Sequence, residues 1–160
     1  MNNNTKGYDL IIPVYNEKNI INLIKYLKTT AKNLLNIYIC YDHEDDITVR
    51  IIKNSKYSKS KNIILVKNFS EGPCEAVKSG ILYANAQALV VYPADDYHNG
   101  LLLDKMYNLF LEGYDVICPS RFMPKGIIKN CPYIKLFIVR IVSFTLFYLS
   151  KIKTKDPTNG

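Results

Sequence analysis

Short continuous runs of apolar residues alternate along this chain with longer segments in which apolar residues recur every three or four positions. The short runs are typical of buried strands, and the longer spacing is typical of amphipathic helices. The predicted strands are residues 8–13, 36–41, 62–66, 88–92 and 114–118, and the predicted helices are residues 18–32, 47–53, 73–86 and 100–112. This alternation predicts an α/β fold with right-handed crossovers and a mainly parallel sheet. The Lys- and Ser-rich stretch 53–61 predicts an exposed loop.

A further apolar segment, residues 133–150, follows an irregular stretch over 119–132. Lys135 and Arg140 interrupt it. A membrane span needs about 20 predominantly apolar residues, and an arginine near its middle is costly. Two interpretations remain open, a helix lying in a membrane interface and a core helix whose two bases reach the surface.

The composition is that of one globular domain, because 48% of the 160 residues are apolar. The four cysteines show no CxxC spacing, and Cys40 and Cys118 lie in strand-like runs where we expect reduced core thiols. The first residues lack the apolar stretch of a signal peptide. These features favour a reducing cytoplasm.

The net charge of +7 is unevenly distributed. Residues 1–115 hold 13 Lys and Arg against 13 Asp and Glu, whereas residues 116–155 hold eight bases and no acid. Such a stretch indicates an anionic partner, which is a nucleic acid, a membrane surface or a phosphorylated substrate, unless it is merely a solvated face. The bases follow no helix-turn-helix or RRM pattern, so we expect no nucleic-acid partner.

Polar residues follow three of the predicted strands at the point where each ends: residues 13–17, Asp42 and the pair Asp95 and Asp96. Ligands of open α/β sheets gather at this edge. Asn16 could instead cap the next helix. An acid after the second strand is placed to bind ribose or base, and two adjacent carboxylates suit a divalent cation that itself holds phosphates.

Two common phosphate-binding motifs are missing from the sequence. No GxxxxGK[ST] loop and no GxGxxG segment occurs, which disfavours a P-loop NTPase or a dinucleotide-dependent dehydrogenase.

Five segments together resemble the family-2 glycosyltransferases of GT-A fold, most closely the polyprenyl- and dolichyl-phosphate sugar synthases: IIPVYNE, YDHEDDIT, GPCEAVKSGILYANAQALVVYPADD, CPSRF and KDPTNG. The resemblance covers essentially the whole chain. It implies a Rossmann-like three-layer fold, with a nucleotide-sugar-binding core over residues 1–131 and an apolar, basic helix that begins the acceptor side over residues 132–160. Because that family continues past the equivalent of Gly160, we expect a C-terminally truncated chain.

The resemblance also implies roles for individual residues. The nucleotide sugar would contact Pro13, Tyr15, Glu17, Asp42 and Asp95. Asp95 would be the principal ligand of Mg²⁺ or Mn²⁺, and Asp96 a second ligand, since Pro93 stands where the family often has the first acid of a D-x-D motif. Arg121 would be catalytic with Asp95 and would face the acceptor phosphate, helped by Lys135 and Arg140.

The implied activity is sugar transfer from a GDP- or UDP-sugar to a lipid phosphate such as polyprenyl phosphate, at the cytoplasmic face of a membrane. A hydroxyl acceptor needs a general base, whereas a lipid phosphate is already anionic and needs positive guides. The acid-free stretch 116–155 therefore favours the phosphate acceptor. The alternatives are a family-2 enzyme of surface-polysaccharide synthesis that uses a hydroxyl acceptor and a non-catalytic membrane-surface module.

Overall fold

The computed structural model describes residues 6–120 and 132–149. They belong to two compact units that divide between Asp115 and Val116. The strands of the first unit are β1 (Tyr8–Pro13), β2 (Leu34–Tyr41), β3 (Ile63–Lys67) and β4 (Ala88–Val91). Its α-helices are α1 (Ile20–Thr30), α2 (Ile47–Lys53), α3 (Pro73–Tyr83) and α4 (Gly100–Leu111), and a short 3₁₀ helix covers Lys56–Lys59. The second unit contains α5 (Tyr133–Leu149).

The four strands form one sheet in the order β3-β2-β1-β4, and every neighbouring pair is parallel. The chain moves outward from β1 to β3 and then returns to the other side of β1 to form β4. The predicted α/β fold with a parallel sheet is thereby confirmed. The strand order reverses between β1 and β4, which is where open sheets of this kind bind ligands.

Helices cover both faces of the sheet, as a three-layer fold requires. Crossovers are right-handed, so α1 and α2 lie on one face, while α3, which connects strands in the opposite direction, lies on the other. Alternation along β1 matches this arrangement: Leu10 and Ile12 belong to the core beneath α1 and α2, and Ile11 packs with Cys40 on the α3 side. The first of these two cores is the larger and also receives Leu103 of α4.

Helix α1 forms because its apolar residues share one stripe. Ile20, Leu23, Ile24 and Leu27 recur at helical spacing, and all four are fully buried. Burying one such side chain contributes about 1.5–3 kcal/mol. The stripe therefore fixes which face of α1 meets the sheet.

Two aspartates, one buried and one half-buried, connect segments of the chain near the amino ends of the strands. In β1, Asp9 accepts hydrogen bonds from the side chain of Asn36 (2.9 Å) and from the backbone N–H groups of Asn85 (3.1 Å) and Ala86 (3.0 Å). On α4, Asp104 accepts from the hydroxyl of Tyr8 and from Lys32 and Asn33. Because these donors compensate the charges, both carboxylates are tolerated away from bulk water.

The predicted fifth strand over residues 114–118 is wrong. Helix α4 ends at Leu111, and Gly113, with a φ of 99°, closes this end so that Tyr114 N–H donates to Leu109 O (3.2 Å). The residues that follow have strand-like composition but no strand partner in the described part of the chain, and Val116 is 80% exposed. Cys118 is consequently exposed rather than in the core, whereas Cys40 is buried as expected.

The predicted loop over residues 53–61 is more ordered than expected. It contains the 3₁₀ helix, begun by Ser55, whose hydroxyl accepts from Tyr57 N–H (3.1 Å). Tyr57 is buried against the core beneath α1 and α2. An apolar ring inside a lysine-rich stretch is the feature that anchors it.

The second unit confirms the predicted apolar helix as α5. Most of its described apolar side chains are exposed, Tyr133, Ile134 and Phe137 among them. None of the helices within residues 6–120 and 132–149 is long and apolar enough to span a membrane.

Gly80 allows α3 to approach the sheet closely. A Cβ at this position would overlap the side chain of Ile11 and lie 3.0 Å from Cys40 Sγ. We expect Gly80→Ala to lower the free energy of unfolding by about 1–3 kcal/mol, because overpacking outweighs the gain in helix propensity. Chemical denaturation measures this, with Cys74→Ala at an exposed position of the same helix as the control. A Gly80→Ala protein as stable as the wild type would contradict the close packing.

Candidate active site

The candidate site lies along the carboxyl ends of the four parallel strands. The register brings these ends level, since Pro13 of β1 is opposite Cys40 of β2 and Tyr41 of β2 is opposite Lys67 of β3. On the other side of β1, Ile11 pairs with Val91 near the end of β4. The structure brings the predicted nucleotide and metal residues to one edge, because each lies at one of these strand ends or in the loop after it: Pro13, Tyr15, Glu17, Asp42, Asp95 and Asp96.

The loop after β1 is attached to the first turn of α2. Asn16 N–H donates to Asp46 Oδ2 (3.0 Å), and Asn16 Oδ1 accepts from Ile47 N–H (3.1 Å). Glu17 N–H donates to Thr48 Oγ1 (2.8 Å), and Asp46 Oδ1 also accepts from Thr48 N–H (2.7 Å). Asn16 therefore serves the start of α2, not that of α1 as the sequence suggested. Its φ of 53° is a conformation that asparagine adopts more readily than most residues.

This attachment leaves the side chain of Tyr15 in solvent, where it is 76% exposed. A rigid loop that presents an uncovered aromatic ring at a ligand-binding edge offers a stacking surface for a planar group such as a nucleobase.

Tyr97 connects the loop after β4 with the start of α1. Its hydroxyl donates to Asn19 O (3.3 Å), while Asn19 N–H donates to Glu17 Oε1 (2.8 Å). Burial, and then the negative charges of Glu17 and Asp95, raise the pKa of the Tyr97 phenol. Both carboxylates thus act on the same phenol, which links the first and last strand-end loops. The sequence offered no signal for Tyr97.

Asp42 connects the end of β2 to the loop between β3 and α3. Its carboxylate accepts from Asn68 Nδ2 (2.7 Å) and from Gly72 N–H (3.2 Å to Oδ2). This contact fixes the orientation of the Asn68 amide, because its NH₂ group must face the carboxylate. The amide oxygen is buried and has no hydrogen-bond partner among the described residues. The Asn68 side chain, which holds Asp42, therefore also carries a hydrogen-bond acceptor that no described residue uses.

Two further contacts order the same corner of the site. The Tyr41 hydroxyl donates to Glu44 Oε1 (2.8 Å), and Lys53 Nζ lies 3.1 Å from Glu44 Oε2. Hydrogen bonds from Tyr41 and then Lys53 lower the pKa of Glu44. His43 Nε2 lies 3.5 Å from Glu71 Oε1 across the same pair of loops.

The two adjacent acids after β4, Asp95 and Asp96, differ in their hydrogen bonds. Asp96 Oδ1 accepts from the N–H groups of His98 (2.8 Å) and Asn99 (3.0 Å), and Asp96 Oδ2 accepts from Asn99 Nδ2 (2.8 Å). Partial burial raises the pKa of Asp96, but these hydrogen bonds lower it by more, so the pKa lies below its ordinary value. Asp95 is exposed, and its carboxylate has no hydrogen-bond or ion-pair partner in the part of the chain that the structure describes.

Metal binding would rest on few protein ligands. No group of three or more His, Cys, Asp or Glu side chains suited to hold a metal occurs within residues 6–120 and 132–149. Mg²⁺ is commonly bound through one or two carboxylates together with substrate phosphates, and Asp95 fits that requirement. Asp96 would first have to release hydrogen bonds that shape the turn.

The predicted acceptor residues lie outside the first unit. Arg121 lies outside the described residues, as does the side chain of Lys135. Arg140 lies on α5 in the second unit. Sequence reasoning also passed over Asp46 and Thr48, although an aspartate just before a helical apolar pattern is a recognisable N-cap signal.

Comparison with known proteins gives the family. Residues 9–159 match the sequence model of glycosyl transferase family 2. The chain is 28% identical over 156 residues to a dolichol-phosphate mannosyltransferase of Pyrococcus furiosus, covering 94% of this chain and 44% of that protein. It is 27% identical over 143 residues to an uncharacterized protein of Methanocaldococcus jannaschii, covering 88% and 56%. It is 32% identical over 118 residues to the putative glycosyltransferase CsbB of Bacillus subtilis, covering 70% and 35%.

The chain thus spans about half the length, or less, of these curated relatives. The family match nevertheless covers both described units and every strand-end loop of the site. By this match, the chain belongs to glycosyl transferase family 2.

Proposed function

We propose that this protein transfers a sugar from a nucleotide-diphosphate sugar, a GDP- or UDP-sugar, to a lipid phosphate such as polyprenyl phosphate. The observation that carries the proposal is the meeting of three polar strand-end loops at the point where the strand order reverses, with the Asp95 carboxylate unpartnered among the described residues. Family membership supports the transfer. The similar protein named dolichol-phosphate mannosyltransferase supports a lipid phosphate as acceptor.

The donor would lie across the loops after β1 and β2. Pro13 and Glu17 flank the exposed ring of Tyr15, which is available to stack on the base. Asp42 is held by Asn68 and Gly72, so its remaining acceptor capacity is oriented before the ribose or base arrives. Preorganisation of this kind lowers the entropy that the site loses on binding.

The reaction breaks the bond between the anomeric carbon and the diphosphate oxygen and forms one to an acceptor oxygen. Mg²⁺ or Mn²⁺, held by Asp95 and the diphosphate, would neutralise the charge that develops on the leaving group. Asp96 holds the turn that carries Asp95 through its hydrogen bonds to His98 and Asn99. We therefore assign metal binding principally to Asp95, and a ligand role for Asp96 is the lesser part of the proposal.

The acceptor side of the proposal rests on charge. Residues 116–155 contain eight bases and no acid, which suits a phosphate that is already anionic better than a hydroxyl that must lose a proton. Arg121 is assigned to that phosphate because its fork of N–H groups binds two oxygens at once. Lys135 and Arg140 are assigned to the same phosphate.

The exposed apolar side chains of α5 support peripheral association with the cytoplasmic face of a membrane, where a lipid-linked acceptor is found. The helix has 17 residues, and side chains such as Ile134 and Phe137 are exposed on it. The lysines that follow this apolar helix in the sequence, Lys151, Lys153 and Lys155, would meet anionic lipid headgroups.

The direct test is transfer of labelled sugar to polyprenyl phosphate from a panel of GDP- and UDP-sugars, with Mn²⁺ and with a chelator. We expect lipid-linked product from at least one donor only when the metal is present. Product formed instead on a soluble sugar hydroxyl would favour the polysaccharide alternative. Neither product, together with no metal-dependent donor binding in calorimetry, would refute the catalytic proposal.

Substitutions at Asp95 and at Asp96 should affect different properties, donor binding in the first and stability in the second. We expect Asp95→Asn to abolish Mn²⁺-dependent donor binding without lowering thermal stability, because its carboxylate has no partner among the described residues. Asp96→Ala should lower the free energy of unfolding by about 1 kcal/mol, through loss of the hydrogen bonds that shape the turn. Calorimetry and thermal unfolding measure the two effects, with exposed Asp45→Asn as the control. Equal, mild effects on donor binding from both would contradict the division of roles.

Arg121 should act on the acceptor and not on the donor. We expect Arg121→Ala to raise the KM for polyprenyl phosphate by about tenfold or more, as loss of a charge-assisted contact would, while donor affinity is unchanged. Arg121→Lys should restore only part of the affinity, because an ammonium lacks the bidentate fork. Weakened donor binding in Arg121→Ala would contradict the assignment of this residue to the acceptor phosphate.

A further inference from the structure

Nine of the 13 bases in residues 1–115 lie in two parts of the chain that contain no acid, although one of them, Lys53, is paired with Glu44. Two stretches, residues 18–41 and 47–66, contain no acid. Their bases are Lys18, Lys25, Lys28, Lys32, Arg50, Lys53, Lys56, Lys59 and Lys61. These stretches form α1, α2 and the 3₁₀ helix, which pack beside one another over one face of the sheet. We call the outer surface of α1, α2 and the 3₁₀ helix the basic face.

A cavity of about 300 Å³ opens beside the basic face, between the end of α1 and the amino end of β2 and β3. Lys28 and Lys32 line it together with the apolar side chains of Ala31 and Leu34. Asn62 also lines it, and its amide is held by a hydrogen bond to Leu35 O (2.8 Å). The cavity thus has two lysines among its lining residues and a largely polar exposed surface, and it lies at the end of the strands opposite the candidate active site.

A buried ring brings lysines together beside this cavity. The Nζ atoms of Lys28 and Lys56 each lie 5.3 Å from the centroid of the Tyr57 ring. Cation–π attraction of this kind offsets part of the repulsion between the two ammonium groups. Neither Lys28, Lys32 nor Lys56 belongs to an ion pair within the described residues. Their charge is therefore available to an outside partner.

We propose that the basic face binds the surface of an anionic phospholipid bilayer, with one lipid headgroup in the Lys28–Lys32 cavity. Charge complementarity favours an anionic surface, since bases close to such a surface are attracted within a Debye length. The spread of the bases over several elements favours an extended anionic surface over a free phosphate, because a small ion in the cavity meets only Lys28 and Lys32. This contact is independent of α5 and of donor binding.

The test is co-sedimentation of the full chain with vesicles, without nucleotide, metal or acceptor. We expect binding to vesicles that contain phosphatidylglycerol, weaker binding as salt is raised, and little binding to pure phosphatidylcholine. Lys28→Gln/Lys32→Gln should weaken the partition coefficient about thirtyfold, as the removal of two lysines near the surface predicts. Lys67→Gln/Lys78→Gln has the same net charge but changes lysines outside the basic face, so it should bind like the wild type.

Several results would overturn the proposal. An undiminished partition coefficient in Lys28→Gln/Lys32→Gln would assign binding to α5 alone. An equal loss of binding in the control pair would also contradict the proposal, as would equal binding to phosphatidylcholine vesicles. Displacement from vesicles by glycerol phosphate would indicate a soluble ligand. Because no turnover is measured, failure here leaves the proposed sugar transfer standing, and failure of that transfer leaves this result unaffected.

Discussion

The parallel pairing of β1 with β2 on one side and with β4 on the other is the constraint on which the site depends. It places the loop of residues 13–17 between the loops that carry Asp42 and Asp95, although these are more than fifty positions apart in the chain. The reversal of strand order at β1 also leaves room for a ligand between neighbouring loops. A shift of β1 by one residue would turn Leu10 and Ile12 away from their core, so burial protects the register of the site.

The aspartates of this protein fall into two groups, those whose carboxylates accept hydrogen bonds from N–H and O–H groups of the protein and those whose carboxylates accept none among the described residues. The occupied aspartates are Asp9, Asp42, Asp46, Asp96 and Asp104, each of which accepts at least two hydrogen bonds. They join segments that are distant in the chain or, in Asp96, shape one turn. The Asp95 carboxylate, although adjacent to Asp96, accepts no hydrogen bond within the described residues. Adjacent positions thus supply a structural acid and an acid available to a ligand.

Much of the fold could be predicted because burial and periodicity are local signals. The bounds predicted for β1 and α2 agree with the structure, and the three strands that precede the predicted polar loops, β1, β2 and β4, were all predicted. The strand expected at 114–118 failed because composition shows that a segment can pair, not that a partner exists. Asn16 was placed on the wrong helix for a related reason: its partner, Ile47 N–H, lies 31 positions away, and only the folded sheet brings the two together.

Acidic and basic side chains are unevenly distributed over the surface of the first unit. Acids such as Glu17, Asp42 and Asp95 collect at the carboxyl edge of the sheet, while the lysines of α1 and the 3₁₀ helix cover one flank. The unit carries no net formal charge, but this uneven distribution makes it an electric dipole, which experiences a torque in the field of a negative surface before contact. Rotation during approach would turn the lysine flank of the first unit toward that surface. The first unit would thus meet such a surface in a preferred orientation, as charged molecules do in electrostatically steered encounters.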